Sequence, residues 1–81
     1  MKHDLKVWPP FFKDIERGNK TYELRKNDRG FELGDILELR EYDPNKKDYT
    51  GNSTLRRVTY IMTSFQGLEP GYCIMSLGKI Q

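Results

Sequence analysis

The alternation of apolar and polar residues predicts a chain built mainly from strands. Near the start, Leu5 and Val7 alternate with Asp4 and Lys6, which indicates a first strand from His3 to Trp8. Residues 36–42 repeat this period of two, and residues 54–63 are rich in β-branched and aromatic residues. Residues 72–77 are nearly continuously apolar. The further predicted strands cover residues 20–25, 36–42, 54–63 and 72–77. Strands therefore dominate the predicted secondary structure.

One short helix is predicted directly after the first strand. The proline pair at residues 9–10 ends that strand and suits the first turn of a helix. Phe11, Phe12 and Ile15 then recur at a spacing of three to four residues and form one apolar stripe. Gly18 fits the left-handed position that ends a helix. Because the helix is short, packing must stabilise it.

The segments between these elements carry polar residues and turn formers. The longest polar loop is predicted from Asp43 to Ser53, and a second loop from Ser64 to Gly71. Phe31 and Leu33 are predicted to return to the core between two turns. Trp8, beside two prolines and two phenylalanines, is predicted to be a core residue.

The long strand at residues 54–63 has two predicted faces. In a regular strand, Val58, Tyr60 and Met62 share one face. The opposite face then carries Arg57, Thr59 and Ile61.

These elements predict one α+β, mostly β domain over residues 1–81. Five or six short strands and one N-terminal helix are too few to cover both faces of an open sheet. We therefore expect the strands to curl into a small β-barrel with the helix packed at one end of the barrel. This arrangement hides the strand edges and the apolar faces together.

Composition excludes several kinds of site. The lone Cys73 cannot form an internal disulfide or a cysteine-based zinc site, and is expected to be a buried packing thiol. The single His3 cannot build a histidine-rich metal site, so no metal and no cofactor are expected. No stretch approaches the ~18 apolar residues of a membrane span, and no signal peptide is visible. We therefore expect no membrane partner and a cytoplasmic location.

The candidate chemistry is concentrated between Gly18 and Arg25. Four polar side chains of different chemistry occur in six residues: Lys20, Thr21, Glu23 and Arg25. In an extended segment the last three share one face, opposite Tyr22 and Leu24. The pattern alone also permits an ordinary solvated strand with an opposite-charge pair.

This stretch resembles the signature of ASCH (activating-signal-cointegrator homology) domains, which belong to the PUA-like group of small β-barrels. The signature is Gly-x-Lys-x-x-x-x-Arg after the first helix, here Gly18, Lys20 and Arg25, with Glu23 in the inner position. Further motifs resemble a short, mostly uncharacterised bacterial and phage subfamily. They are His3 to Pro9, Phe31 to Asp35, Tyr42 to Pro44, Tyr49 to Gly51 and Gly71 to Leu77.

The resemblance implies a charged cleft between helix and barrel that holds RNA or a nucleotide. Lys20 and Arg25 would contact phosphate, and Glu23 would orient Arg25 or accept from a base amino group. Tyr49, or alternatively Tyr42 or Trp8, would stack on a base. The predicted binding residues are Lys6, Lys20, Glu23, Arg25, Lys26 and Tyr49. Further candidates for the same surface are Arg29, Tyr42, Arg56 and Arg57.

Two alternatives remain open from the sequence. Some ASCH proteins are amidohydrolases of N-acylated nucleosides that use a lysine and a threonine three residues later. Here Lys20 matches the lysine, but the third position on is Glu23, and Thr21 carries the nearby hydroxyl. In the other alternative, the domain is a non-catalytic interaction or regulatory module, and Lys20, Glu23 and Arg25 form a structural polar network.

Overall fold

A computed structural model describes residues 1–80 as one curled sheet and one short helix. The elements in chain order are β1 (Lys2–Val7), α1 (Pro9–Glu16), β2 (Tyr22–Lys26), β3 (Ile36–Asp43), β4 (Asp48–Met62) and β5 (Tyr72–Lys79). The strand order is β1-β3-β4-β5-β2, with β1 parallel to β3 and the other neighbours antiparallel. The sheet forms a half-barrel, which confirms the predicted mostly β fold of five strands with one helix near the N-terminus.

The core lies on the concave side of the sheet. It consists of ten buried apolar residues: Leu5, Val7, Phe12, Ile15, Phe31, Leu37, Leu39, Val58, Cys73 and Met75. Cys73 is a fully buried free thiol, as predicted, and burial raises its pKa. Among residues 1–80, no helix is long and apolar enough to cross a membrane.

The helix packs through two of the three residues in its predicted stripe. Phe12 and Ile15 are each 1% exposed, whereas Phe11 is 49% exposed and faces away from the core. Gly18, with φ +82°, follows the helix end as predicted. Arg56 donates through Nη2 to the Ile15 carbonyl at 3.2 Å, so β4 holds the C-terminal end of the helix.

The predicted loop from Asp43 to Ser53 is wrong. Strand β4 begins at Asp48, and the register pairs Tyr42 with Tyr49 across a turn of residues 44–47. The Asp43 carboxylate accepts the backbone N–H groups of two turn residues and closes the hairpin. The polar residues after the turn therefore continue as strand instead of forming a loop.

Two side-chain placements also differ from the predictions. Phe31 is buried, but Leu33 is 63% exposed because it lies in the Glu32–Asp35 turn, which points it outward. Against β5, the register of β4 shifts between Val58 and Tyr60. This β-bulge places one extra residue in β4 and reverses the inward–outward alternation of its side chains. Val58 is therefore buried while Tyr60 is 59% exposed. The predicted shared face of these two residues is therefore wrong.

A buried carboxylate joins the first strand to the start of β3. Asp35 is 5% exposed and accepts hydrogen bonds from His3 Nε2 at 2.9 Å and the Glu32 backbone N–H at 3.0 Å. The N-terminal ammonium lies 3.2 Å from its other oxygen. The His3 hydrogen bond is the main cause that holds the pKa of Asp35 below its usual value, against the opposing effect of burial.

This lowered pKa predicts a pH-dependent stability. Above the usual carboxyl pKa near 4, ionised Asp35 stabilises the fold fully. This stabilisation is lost as the pH falls through the lower pKa that Asp35 has in the folded protein. We expect Asp35→Asn to reduce the free energy of unfolding at pH 7 by about 1–3 kcal/mol. Its urea-unfolding curves should then change less than those of the wild type between pH 4 and 2. Asp28→Asn, at an exposed turn position, is the control, and equal acid sensitivity of wild type and Asp35→Asn would contradict the assignment.

Candidate functional site

The turn from α1 to β2 places Lys20 beside the first residues of β2. The backbone N–H groups of Asn19 and Lys20 both donate to the Asp14 carbonyl, at 2.9 and 3.0 Å. The positive φ of Gly18 permits this reversal of the chain, and the Gly18 N–H donates to the Ile15 carbonyl at 3.1 Å. As a result, Lys20 lies within hydrogen-bonding reach of Glu23.

Glu23 joins two cations at the centre of the site. Its carboxylate is buried, with Lys20 Nζ 2.7 Å from Oε1 and Arg25 Nε 2.6 Å from Oε2. Each oxygen thus accepts one charged donor, which offsets the cost of removing the carboxylate from water. The three signature side chains therefore form one network.

The faces of β2 are inverted relative to those of an ordinary strand. Glu23 and Arg25 point toward the concave side of the sheet. Their cross-strand partners on β5, Met75 and Cys73, are buried on the same side. Tyr22 and Leu24 point outward and are 47% and 53% exposed. The predicted alternation is present, and it leaves aromatic and apolar side chains in solvent.

The two edge strands, β1 and β2, are bridged by arginine side chains. Arg25 Nη2 donates to the Lys6 carbonyl at 2.5 Å, and Arg29 donates to the Asp4 carbonyl. Strands β1 and β2 lie at opposite edges of the sheet and do not pair with each other. The guanidinium groups therefore take the place of backbone hydrogen bonds along this seam.

A cleft of about 540 Å³ opens at the seam. This volume lies within the range of ligand pockets, roughly 300–1,000 Å³. Its lining residues are Lys6, Val7, Trp8, Phe11, Lys20, Tyr22, Glu23, Leu24, Arg25, Lys26 and Tyr72. It combines four cations and one carboxylate with exposed aromatic rings.

The cleft contains most of the residues predicted to bind. They are Lys6, Lys20, Glu23, Arg25 and Lys26. Tyr49 does not line the cleft: it packs edge-on against Tyr42, with ring centroids 5.3 Å apart, and lies beneath Arg40. Lys6 Nζ is 4.4 Å from the Tyr42 ring centroid and 5.9 Å from that of Tyr49, so it connects this aromatic pair to the cleft.

The remaining candidates lie elsewhere. Arg56 and Arg57 donate to backbone carbonyls at the helix end and at Gly34, and neither lines the cleft. Thr21 is exposed just before β2, and its side chain also lies outside the cleft lining. Of the residues that the structure describes, no three His, Cys, Asp or Glu side chains form a metal-binding group.

Trp8 is the main correction at the site. It was predicted to lie in the core, but it is 53% exposed and lines the cleft. The sequence contained the signal: Leu5 and Val7 are the inward residues of β1, so Trp8 continues the outward phase of Lys6. Its place in the cleft fits the alternative in which Trp8 stacks on a base, and the cleft aromatics that the sequence did not indicate are Phe11, Tyr22 and Tyr72.

Comparison with known proteins assigns the chain to a family. The profile of a family described as "Domain of unknown function (DUF3850)" matches residues 2–77. The chain is also 33% identical over 67 residues to the "Uncharacterized 12.9 kDa protein in GpA 3'region" of Escherichia phage P2, a match that covers 83% of this chain and 60% of the phage protein. The chain therefore spans less than two thirds of that relative. Because the profile match includes the helix, the seam and all the residues that line the cleft, the chain belongs to the DUF3850 family.

Proposed function

We propose that the cleft binds RNA or a nucleotide, and that the domain is of the ASCH type within the PUA-like group. One observation carries this proposal: exposed aromatic rings and four cations line the same cleft. Aromatic faces stack on bases, and lysine and arginine side chains bind phosphate. The combination fits a ligand that has both groups.

The cations divide into two that Glu23 holds and two exposed lysines. Lys20 and Arg25 are fixed by Glu23, and Arg25 is also fixed by the Lys6 carbonyl. This arrangement supports the orienting role of Glu23, because the guanidinium is pre-ordered before a phosphate arrives. The exposed Lys26 and Lys6 side chains extend the positive surface on either side.

The aromatic residues favour an unpaired base. Trp8 and Phe11 expose about half of their surface at the cleft, with 53% and 49% of each residue accessible. The bases of a duplex are stacked on one another, whereas single-stranded RNA or a free nucleotide presents its base faces to aromatic side chains. The net charge of only +2 also argues for a local cation cluster over general attraction to a polyanion.

Substitution of Trp8 tests base stacking. We expect Trp8→Ala to weaken binding of a labelled short RNA roughly 5- to 100-fold, since one base–aromatic stack contributes about 1–3 kcal/mol. Fluorescence anisotropy measures the affinity, and quenching of Trp8, the single tryptophan, reports cleft occupancy in the wild type. Phe65→Ala is the matched control because Phe65 is 67% exposed and lies outside the cleft. Similar losses in both variants would count against stacking in the cleft.

Substitution of Lys26 tests the phosphate contact. Each phosphate contact on a single strand contributes about −0.7 to the slope of log affinity against log salt. We expect Lys26→Ala to weaken RNA binding and to flatten this slope by roughly 0.7. Lys46→Ala, at an exposed hairpin position, should leave the slope unchanged. A slope that changes equally in both variants would point to diffuse attraction instead of a cleft.

Substitution of Glu23 measures the structural contribution of the network, and ligand stabilisation of the wild type tests binding. We expect Glu23→Gln to cost about 1–3 kcal/mol of stability, because two partly buried cationic donors lose their charged acceptor. For a domain of this size, each kcal/mol lowers the melting temperature by roughly 4–8 °C. A ligand that binds only the folded state must raise the melting temperature of the wild type. The ligand panel consists of nucleosides, nucleotides, and RNA and DNA oligomers. If none of them raises the melting temperature of the wild type, the network of Lys20, Glu23 and Arg25 is structural and the binding proposal fails.

A further inference from the structure

The bulge in β4 points an aromatic side chain out of the sheet. Without the register shift after Val58, Tyr60 would share the buried side of Val58. Instead Tyr60 is 59% exposed and pairs in register with Ser76 of β5. On its other side, Ser76 pairs with Tyr22 of β2. The outer face therefore carries a row of Tyr22, Ser76 and Tyr60 across three strands.

We call the space above Ser76, between the side chains of Tyr22 and Tyr60, the slot. The Leu77 N–H donates to the Thr21 carbonyl, so Tyr22 and Ser76 form the closer, non-hydrogen-bonded type of pair in the β2–β5 ladder. Adding the wider pair between Ser76 and Tyr60 places the two tyrosine Cα atoms roughly 10 Å apart. Because only the small, exposed Ser76 stands between the two tyrosines, this Cα spacing leaves room for one flat ring between their side chains.

The charges around this slot favour an anionic ligand. The outward positions of β2 and β5, and those of β4 from Arg57 to Met62, carry cations at Lys26 and Arg57 and no carboxylate. On the other half of the sheet, the outward Lys2 of β1 is paired with Glu38 of β3 at 2.6 Å. The same face of a second copy would bring like charges to these cations, whereas a nucleic acid strand brings phosphates and flat bases.

We propose that Tyr22, Ser76 and Tyr60 form a second base-stacking subsite, which receives a neighbouring base of a single-stranded RNA whose first base lies in the cleft. This proposal rests on the proposed function of the cleft. Tyr22 belongs to both sites, because it lines the cleft and begins the row.

Lys20 provides the link between the two subsites. Its ammonium lies 4.6 Å from the centroid of the Tyr22 ring and also donates to Glu23 and to the Tyr22 carbonyl. These contacts hold a positive charge against the ring of Tyr22, the residue that the cleft and the slot share. The phosphate that joins two successive nucleotides would lie beside this cation.

The experiment compares ligands of increasing length. The probes are uridine monophosphate and labelled oligouridines of two, four and six nucleotides, titrated against wild type, Tyr60→Ala and Tyr60→Phe. Anisotropy or competition gives the affinity, and Trp8 quenching reports the cleft separately. For the wild type, we expect affinity to rise with length. Tyr60→Ala should lose about 5- to 100-fold in oligomer affinity but bind the mononucleotide like the wild type, and Tyr60→Phe should retain the gain.

The outcomes separate failure of this subsite from failure of the cleft. A length-dependent gain that persists in Tyr60→Ala would overturn the subsite and leave the cleft proposal intact. If neither the mononucleotide nor any oligomer binds the wild type, the cleft proposal fails, and the subsite fails with it. Sedimentation velocity gives a third result: a wild-type dimer that Tyr60→Ala dissociates would assign this face to a second copy and overturn the RNA subsite. Because Tyr60 is 59% exposed, the variants should remain folded.

Discussion

The buried carboxylate of Glu23 determines how the two ends of the sheet meet. A carboxylate that is 4% exposed needs charged donors, and it obtains Lys20 from the helix turn and Arg25 from its own strand. Arg25 then reaches across to the Lys6 carbonyl of β1. The edge strands are thus held near each other by side chains, and the half-barrel keeps an open, charged seam. The cleft is a direct consequence of this arrangement.

Local pattern was sufficient to predict the helix and five strands, and it left the polar network as one of several open interpretations of Lys20, Glu23 and Arg25. The Gly18 turn, the period of two in β2 and the Lys20–Glu23–Arg25 spacing all act over a few residues, so their geometry follows from neighbours in the sequence. Non-local pairing was harder. The hairpin at residues 44–47 extended β4 through residues that looked like a polar loop, because pairing with β3 and the Asp43 turn outweighed composition.

The charged residues of the candidate cleft were predicted, but of its aromatic residues only Trp8 was named, as an alternative to its favoured place in the core. Tyr49 was selected because a polar loop gives an aromatic residue little structural role, but it lies on β4 against Tyr42. Trp8 was assigned to the core on its apolar neighbours, although the phase of β1 turns it outward. The bulge that exposes Tyr60 depends on how β4 meets β5, and no pattern within β4 specifies it. Residue type alone therefore misplaced the aromatics.

The exposed side chains of β2 give a further reason to propose a ligand at this edge of the sheet. A strand that served only folding would turn Tyr22 and Leu24 inward and leave Glu23 and Arg25 in water. Here Glu23 and Arg25 occupy the inward positions as part of a charged network. Tyr22 and Leu24 remain about half exposed, at 47% and 53%. Such departures from the pattern that favours folding concentrate where a protein binds or reacts. Contiguous exposed apolar surface is likewise typical of binding sites. The inversion of β2 therefore supports the proposal that this edge of the sheet binds a ligand, with the network holding the edge in place.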